Sequence, residues 1–231
     1  MILTGSAGRS KANSVAIIGL GRFGSAVAMS LEKQGHEVLA IDEREDVVQH
    51  FDEQLTNVVQ ADSTNATALA QLGVGEFDHV VVAIGTGVEA SVLTVLTLQD
   101  AGAKKIWAKA ITTKHGKILS LVGASHVVYP EADMGERVAH LVTGKMMDFI
   151  EFDRGFALVK TRAPREAIGK TLGETKLRSR YGITVVGIKS VDHEFTYAQP
   201  STEVGAGDTL IVAGPTAKAE AFASITLNDH R

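Results

Sequence analysis

The stretch VAIIGLGRFGSAVAMSLEKQGHEVLAID, residues 15–42, constrains the fold more than any other part of the chain. An apolar run leads into Gly19-Leu-Gly21-Arg22-Phe23-Gly24, helical spacing follows, and a second apolar run closes on Asp42. A glycine loop that ends a strand and opens a helix has a physical purpose. Gly19 allows the tight turn, Gly21 lets the backbone approach a pyrophosphate, and Gly24 lets the helix pack close to the sheet. The helix N-terminus offers free N–H groups and partial positive charge to a phosphate. An acid roughly 20 residues further on accepts the ribose hydroxyls and repels a 2′-phosphate, which argues against NADP. Arg22 adds a planar cation suited to anionic oxygens. At this place it distinguishes a terminal phosphate from none, as between ATP and ADP. The competing readings are a sheet that has lost its ligand and an arginine that is only solvated.

Short apolar runs recur at 15–19, 37–42, 57–62, 79–85, 105–110 and 126–130, separated by helix-length segments that often close on glycine. That alternation implies βαβ units and a Rossmann-like parallel sheet. Ligands bind at the carboxyl ends of such strands. The same cleft should therefore receive Asp62, Ser63 and Thr64 after the third run, Ala83 and Gly85 after the fourth, and Lys109 at the end of the fifth. Asp62 is placed to meet an adenine amino group.

After Pro130 the rhythm changes. Met134, Val138, Leu141, Val142, Met146, Phe149 and Ile150 fall at steps of three and four, which predicts a connector helix over 134–152. It either packs on its own domain or crosses to another subunit. From 153 onward GFALVKTR, ITVVGIKS, EFTYAQP and DTLIVAG read as strands, with a short helical segment over 171–180 and a helix at the C-terminal end. The expected organisation is a flexible arm over 1–13, a nucleotide-binding domain over 14–133, the connector over 134–152 and a small α+β domain over 153–231.

Composition excludes several functions. The 231 residues carry a net charge of −4, which supplies no field for nucleic acid. There is no cysteine, so disulfides and thiolate chemistry are absent. No run has the roughly 18 apolar residues of a membrane span. The eight histidines form no catalytic or metal spacing. His79 and His126 begin apolar strands and read as structural, and His115, in TTKHGK, reads as a solvated loop residue. A nucleotide fold without a general acid or base points to a sensor rather than an enzyme.

The glycine stretch, ADST, VVVAIG with EAS, IWAKA, GASHVVYPEADMGERVA and GDTLIVAG come in the order and spacing of RCK proteins, the regulatory subunits of bacterial Ktr and Trk potassium transporters. The chain resembles the KtrA type, over roughly residues 14–225, with one Rossmann-like half and one C-terminal RCK half. The resemblance implies a cytoplasmic homo-oligomer, dimers assembling into an octameric gating ring. This ring would dock beneath a membrane potassium-translocating subunit of KtrB or TrkH type. It implies ATP and ADP competing for the glycine-loop site, and NAD(H) in some members, with Arg22 on the γ-phosphate and Asp42 on the ribose. Glu131, in YPEADMG, matches an acid that supports Mg²⁺ or Ca²⁺ near the nucleotides; its other reading is a surface loop acid. In the C-terminal half Leu172, Arg178 and Pro200 match a site for cyclic di-AMP, although Gly173 stands where an aliphatic residue is common. The rival reading is an NAD(H)-dependent oxidoreductase or redox sensor.

Overall fold

The computed structural model describes residues 14–142, 146–153, 155–191 and 193–228. The arm expected over 1–13 lies outside them. The chain divides into two compact units, with the boundary between Glu131 and Ala132.

The first unit alternates strand and helix. Its elements are β1 (Ser14–Ile18), α1 (Arg22–Lys33), β2 (Glu37–Asp42), α2 (Glu45–Phe51), β3 (Val58–Gln60), α3 (Ala66–Gln71), β4 (His79–Val82), α4 (Val88–Asp100), β5 (Ile106–Lys109), α5 (Thr113–Leu121) and β6 (His126–Val128). The six strands pair in parallel in the order β3-β2-β1-β4-β5-β6. The order reverses beside β1, and that switch point is where open parallel sheets bind ligands. Every residue of β1 is buried. Ala16 and Ile18 join one apolar cluster, with Leu69, Val95, Leu98 and Leu119. Val15 and Ile17 join the other, with Ala28, Val38 and Leu55. Alternate residues thus feed opposite faces, which explains why this strand reads as continuously apolar.

The second unit begins with α6 (Pro130–Val142), apart from its first two residues. It continues through β7 (Asp148–Asp153), β8 (Phe156–Arg162), α7 (Leu172–Thr175), α8 (Leu177–Tyr181), β9 (Thr184–Lys189), β10 (Thr196–Tyr197), β11 (Thr209–Pro215) and α9 (Thr216–Asn228). Its sheet is antiparallel, ordered β10-β9-β11-β8-β7. Along β8 the buried residues are Ala157, Val159 and Thr161, and along β11 they are Leu210, Val212 and Gly214. Phe222, Ala219 and Ala223 of α9 share their cluster. One face is covered, so burial alternates with the pleat.

Four expectations change. The connector helix does not run over 134–152: α6 ends at Val142, and 148–153 is strand β7, with Phe149 opposite Val159 of β8. Met146, Phe149 and Ile150 happen to continue the helical spacing, but a short apolar run fits both periods and the antiparallel pairing decides it. His115 is not solvated: it lies in the first turn of α5, 3% exposed, and burial pushes its pKa down. The third-strand run shortens to Val58–Gln60, and EFTYAQP keeps only Thr196 and Tyr197 as an edge strand.

Candidate nucleotide site

The site is built at the carboxyl end of β1. Gly19 has φ +93°, and a Cβ there would come within 3.2 Å of the Ala83 carbonyl carbon after β4. Gly24 carries the tightest constraint, because a Cβ on it would lie 1.8 Å from the Gly19 carbonyl oxygen. Gly21 differs. A Cβ on it would meet no protein atom within 4 Å, so the space above it is left open. Gly21 is also the N-cap of α1, and it contributes no side-chain cap. The first turn holds no acid either. A helix N-terminus with uncapped N–H groups beside open space suits an anion.

A cleft of about 500 Å³ opens over this turn, within the usual range of small-molecule sites. It gathers residues from five strand ends. Gly19, Gly21, Arg22 and Phe23 come from the first, and Asp42 from the second. Asp62, Ser63 and Thr64 follow the third, Ala83 and Gly85 follow the fourth, and Lys109 ends the fifth. Gly24 does not line the cleft; its place is against Gly19. Sequence reasoning missed Arg44, two residues past Asp42, which also lines the cleft and pairs with Asp46. Its position at the same strand end as Asp42 is the signal that would have found it.

The carboxylates are held by backbone. Asp42 Oδ2 accepts the Leu20 N–H at 2.7 Å and Oδ1 accepts the Arg44 N–H at 3.0 Å. This ties the end of β2 to the glycine loop. Asp62 Oδ1 accepts both the Thr64 hydroxyl at 2.7 Å and the Thr64 N–H at 2.9 Å. Those bonds hold its carboxyl below the usual range. Ser63 is nearly buried and bonds Thr94 of α4 at 2.8 Å, so it anchors the loop.

The glycine loop and the end of β5 bring cations to the cleft. Arg22 is exposed. Lys109 is only 8% exposed, and its Nζ donates to Glu131 Oε1 at 2.6 Å. Lys109, and more weakly Arg22, keep the Glu131 carboxyl below its ordinary pKa. Glu131 is thus engaged by an ammonium. Among the described residues no three His, Asp or Glu side chains converge on a cation position, so these residues do not by themselves fit a divalent ion.

In the second unit, Leu172 packs against the core and its N–H bonds the Thr202 carbonyl. The neighbouring Gly173 N–H bonds the Pro200 carbonyl at 2.8 Å. The structure therefore places the start of α7 beside the turn that carries Pro200. A Cβ on Gly173 would lie 3.1 Å from the Pro200 oxygen, a tight contact. Arg178 is exposed on α8, whereas Arg180 is engaged with Glu166 at 2.9 Å.

The chain matches two family models, the TrkA-N domain over residues 15–130 and the TrkA-C domain over 157–226. It is 39% identical over 200 residues to Ktr system potassium uptake protein C of Bacillus subtilis, covering 86% of this chain and 90% of that protein. It is 36% identical over 204 residues to Ktr system potassium uptake protein A of Vibrio alginolyticus, covering 88% of this chain and 93% of the other. Its fold is similar to the crystal structure of the GsuK RCK domain, with TM-score 0.64 and 21% identity. That match takes in 93% of this chain, which spans about half (47%) of the GsuK chain. Among the described residues no helix is long and apolar enough to cross a membrane.

Proposed function

This chain belongs to the TrkA-N/TrkA-C family that includes the Ktr system potassium uptake proteins, and from that premise we propose that it is a nucleotide-sensing regulator of potassium uptake. In this reading it is a non-enzymatic cytoplasmic protein. It assembles from dimers into a ring and docks on a membrane potassium-translocating subunit. ATP and ADP compete for the cleft above Gly21. The uncapped N-terminus of α1 takes the inner phosphates, Asp42 takes the ribose, and Arg22 with Lys109 takes the terminal phosphate. Leu172, Arg178 and Pro200 remain the candidate contacts for a cyclic dinucleotide.

One observation carries the reading. The open space over Gly21 lies at an uncapped helix start, in a cleft also lined by the cations Arg22 and Lys109 and by the carboxylate of Asp42. Regulation then follows from differential binding. A ligand shifts a conformational equilibrium only as far as its affinities for the two states differ. Arg22 supplies such a difference if it meets a γ-phosphate that ADP lacks.

The test is calorimetric titration of nucleotide-stripped protein with ATP, ADP, NAD⁺ and NADH. ATP and ADP should bind, and Arg22→Ala should bring their affinities within about twofold. Unchanged ATP/ADP discrimination in that variant rejects the role of Arg22. A second reading, an NAD(H) sensor, is favoured by Asp42, since its carboxylate suits the ribose of a dinucleotide equally well. Binding of NAD(H) alone would select it.

A further inference from the structure

We propose that Glu131 is a tethered anion that occupies Lys109, and that a ligand phosphate must displace it to pair with that ammonium. This inference rests on the nucleotide reading of the cleft and specifies how that site is regulated.

The argument starts from Lys109. Its side chain is 9% exposed, and a buried ammonium requires a counter-charge. Its Nζ lies 5.8 Å from the centroid of the Phe23 ring in the glycine loop. A Cβ on Gly85, after β4, would stand 3.3 Å from the same nitrogen. The ammonium therefore sits near both the loop after β1 and the loop after β4. Glu131 supplies the counter-charge through the 2.6 Å bond.

The carboxylate itself is 62% exposed, so water can take it over cheaply. Lys109 has no such recourse. An incoming phosphate brings more charge and more acceptor oxygens than a carboxylate. Both anions on one ammonium would stand within a few ångströms of each other, and like charges at that distance repel. The Lys109–Glu131 bond and a phosphate on the same ammonium therefore oppose one another. The chain carries an internal competitor that sets a threshold for phosphate binding and leaves nucleoside binding largely outside its control.

The experiment compares ADP with adenosine on the full chain by calorimetry in metal-free buffer. In Glu131→Gln, the ratio of ADP to adenosine affinity should rise about three- to tenfold. In Lys109→Gln the ratio should fall, and adding Glu131→Gln to that variant should not restore it. An unchanged or lower ratio in Glu131→Gln overturns the proposal. So does an equal rise in the Lys109→Gln background, because Glu131 would then act only as a diffuse negative charge. If Lys109→Gln fails to fold, inorganic pyrophosphate titrated into wild type and Glu131→Ala decides: tighter binding to the variant supports the competitor, and equal binding overturns it. If neither ADP nor adenosine binds wild type or Glu131→Gln, the nucleotide reading itself fails and takes this inference with it.

Discussion

The two sheets of this chain solve the problem of placing side chains in opposite ways. In the parallel sheet every strand runs the same direction, so all carboxyl ends fall on one edge. Residues from Gly19 to Lys109 converge there although nearly the whole first unit separates them in sequence. In the antiparallel sheet successive strand ends alternate between edges. Its polar side chains are spread accordingly: Arg137 reaches Asp148, Arg180 and Tyr181 reach Glu166, and Thr216 reaches Glu151. Loop geometry carries the constraint in the first unit, whereas core packing carries it in the second.

That contrast can be broken or sharpened by substitution. The largest expected effect is Phe222→Ala. The ring is fully buried against β8 and β11, and its loss should lower unfolding stability by about 4 kcal/mol. Urea denaturation measures it, and a loss below about 1 kcal/mol would deny that α9 packing holds the second unit.

Next comes Gly24→Ala. The added methyl would collide with the Gly19 carbonyl at 1.8 Å, and backbone there must shift, at about 3 kcal/mol. A near-neutral result would show the loop to be more pliable than the contrast requires.

Gly21→Ala should behave differently from its neighbour. The methyl meets no protein atom, so the cost to stability should be only that of alanine for glycine at an N-cap, about 1 kcal/mol or less. Nucleotide affinity should nevertheless fall at least tenfold, about 1.4 kcal/mol. A stable variant that binds normally would remove Gly21 from the site.

The smallest effect is a pH dependence in the second unit. The Tyr181 hydroxyl, with Arg180 behind it, holds the Glu166 carboxyl below its ordinary pKa. The folded chain then binds that proton less readily than the unfolded chain. The contribution is present above the ordinary carboxylate range and is lost as pH falls through the depressed value. Because the group is about a third exposed, it amounts to less than about 1 kcal/mol. Glu166→Gln should flatten the acid limb of the stability curve by that amount, and an unaltered limb would show the bond to be idle.

The first unit was largely legible in the sequence because its constraints are local. A strand, three glycines and an acid stand in one short stretch, and each has its own steric or electrostatic reason. Lys109 was legible as a cation at the carboxyl end of the fifth strand, but its bond to Glu131 was not, since that pair forms only when β5 and the start of α6 come together. Burial of His115 was hidden for a similar reason. A polar run with one histidine looks solvated until α5 turns that residue inward. In the second unit the helix expected to run to 152 failed at β7, where the partner strand β8 determines the conformation. Residues whose conformation depends on a distant partner leave a weak trace in their own neighbourhood.

The bond from the Leu20 N–H to Asp42 has a consequence for binding. The carboxylate that would recognise the ribose also fastens the glycine loop, so the loop is shaped before any ligand arrives. Under the proposed nucleotide reading, entry would need no ordering of this loop, which removes one entropic cost of binding. A receptor of that kind would answer to the ratio of its competing ligands without first having to fold around either.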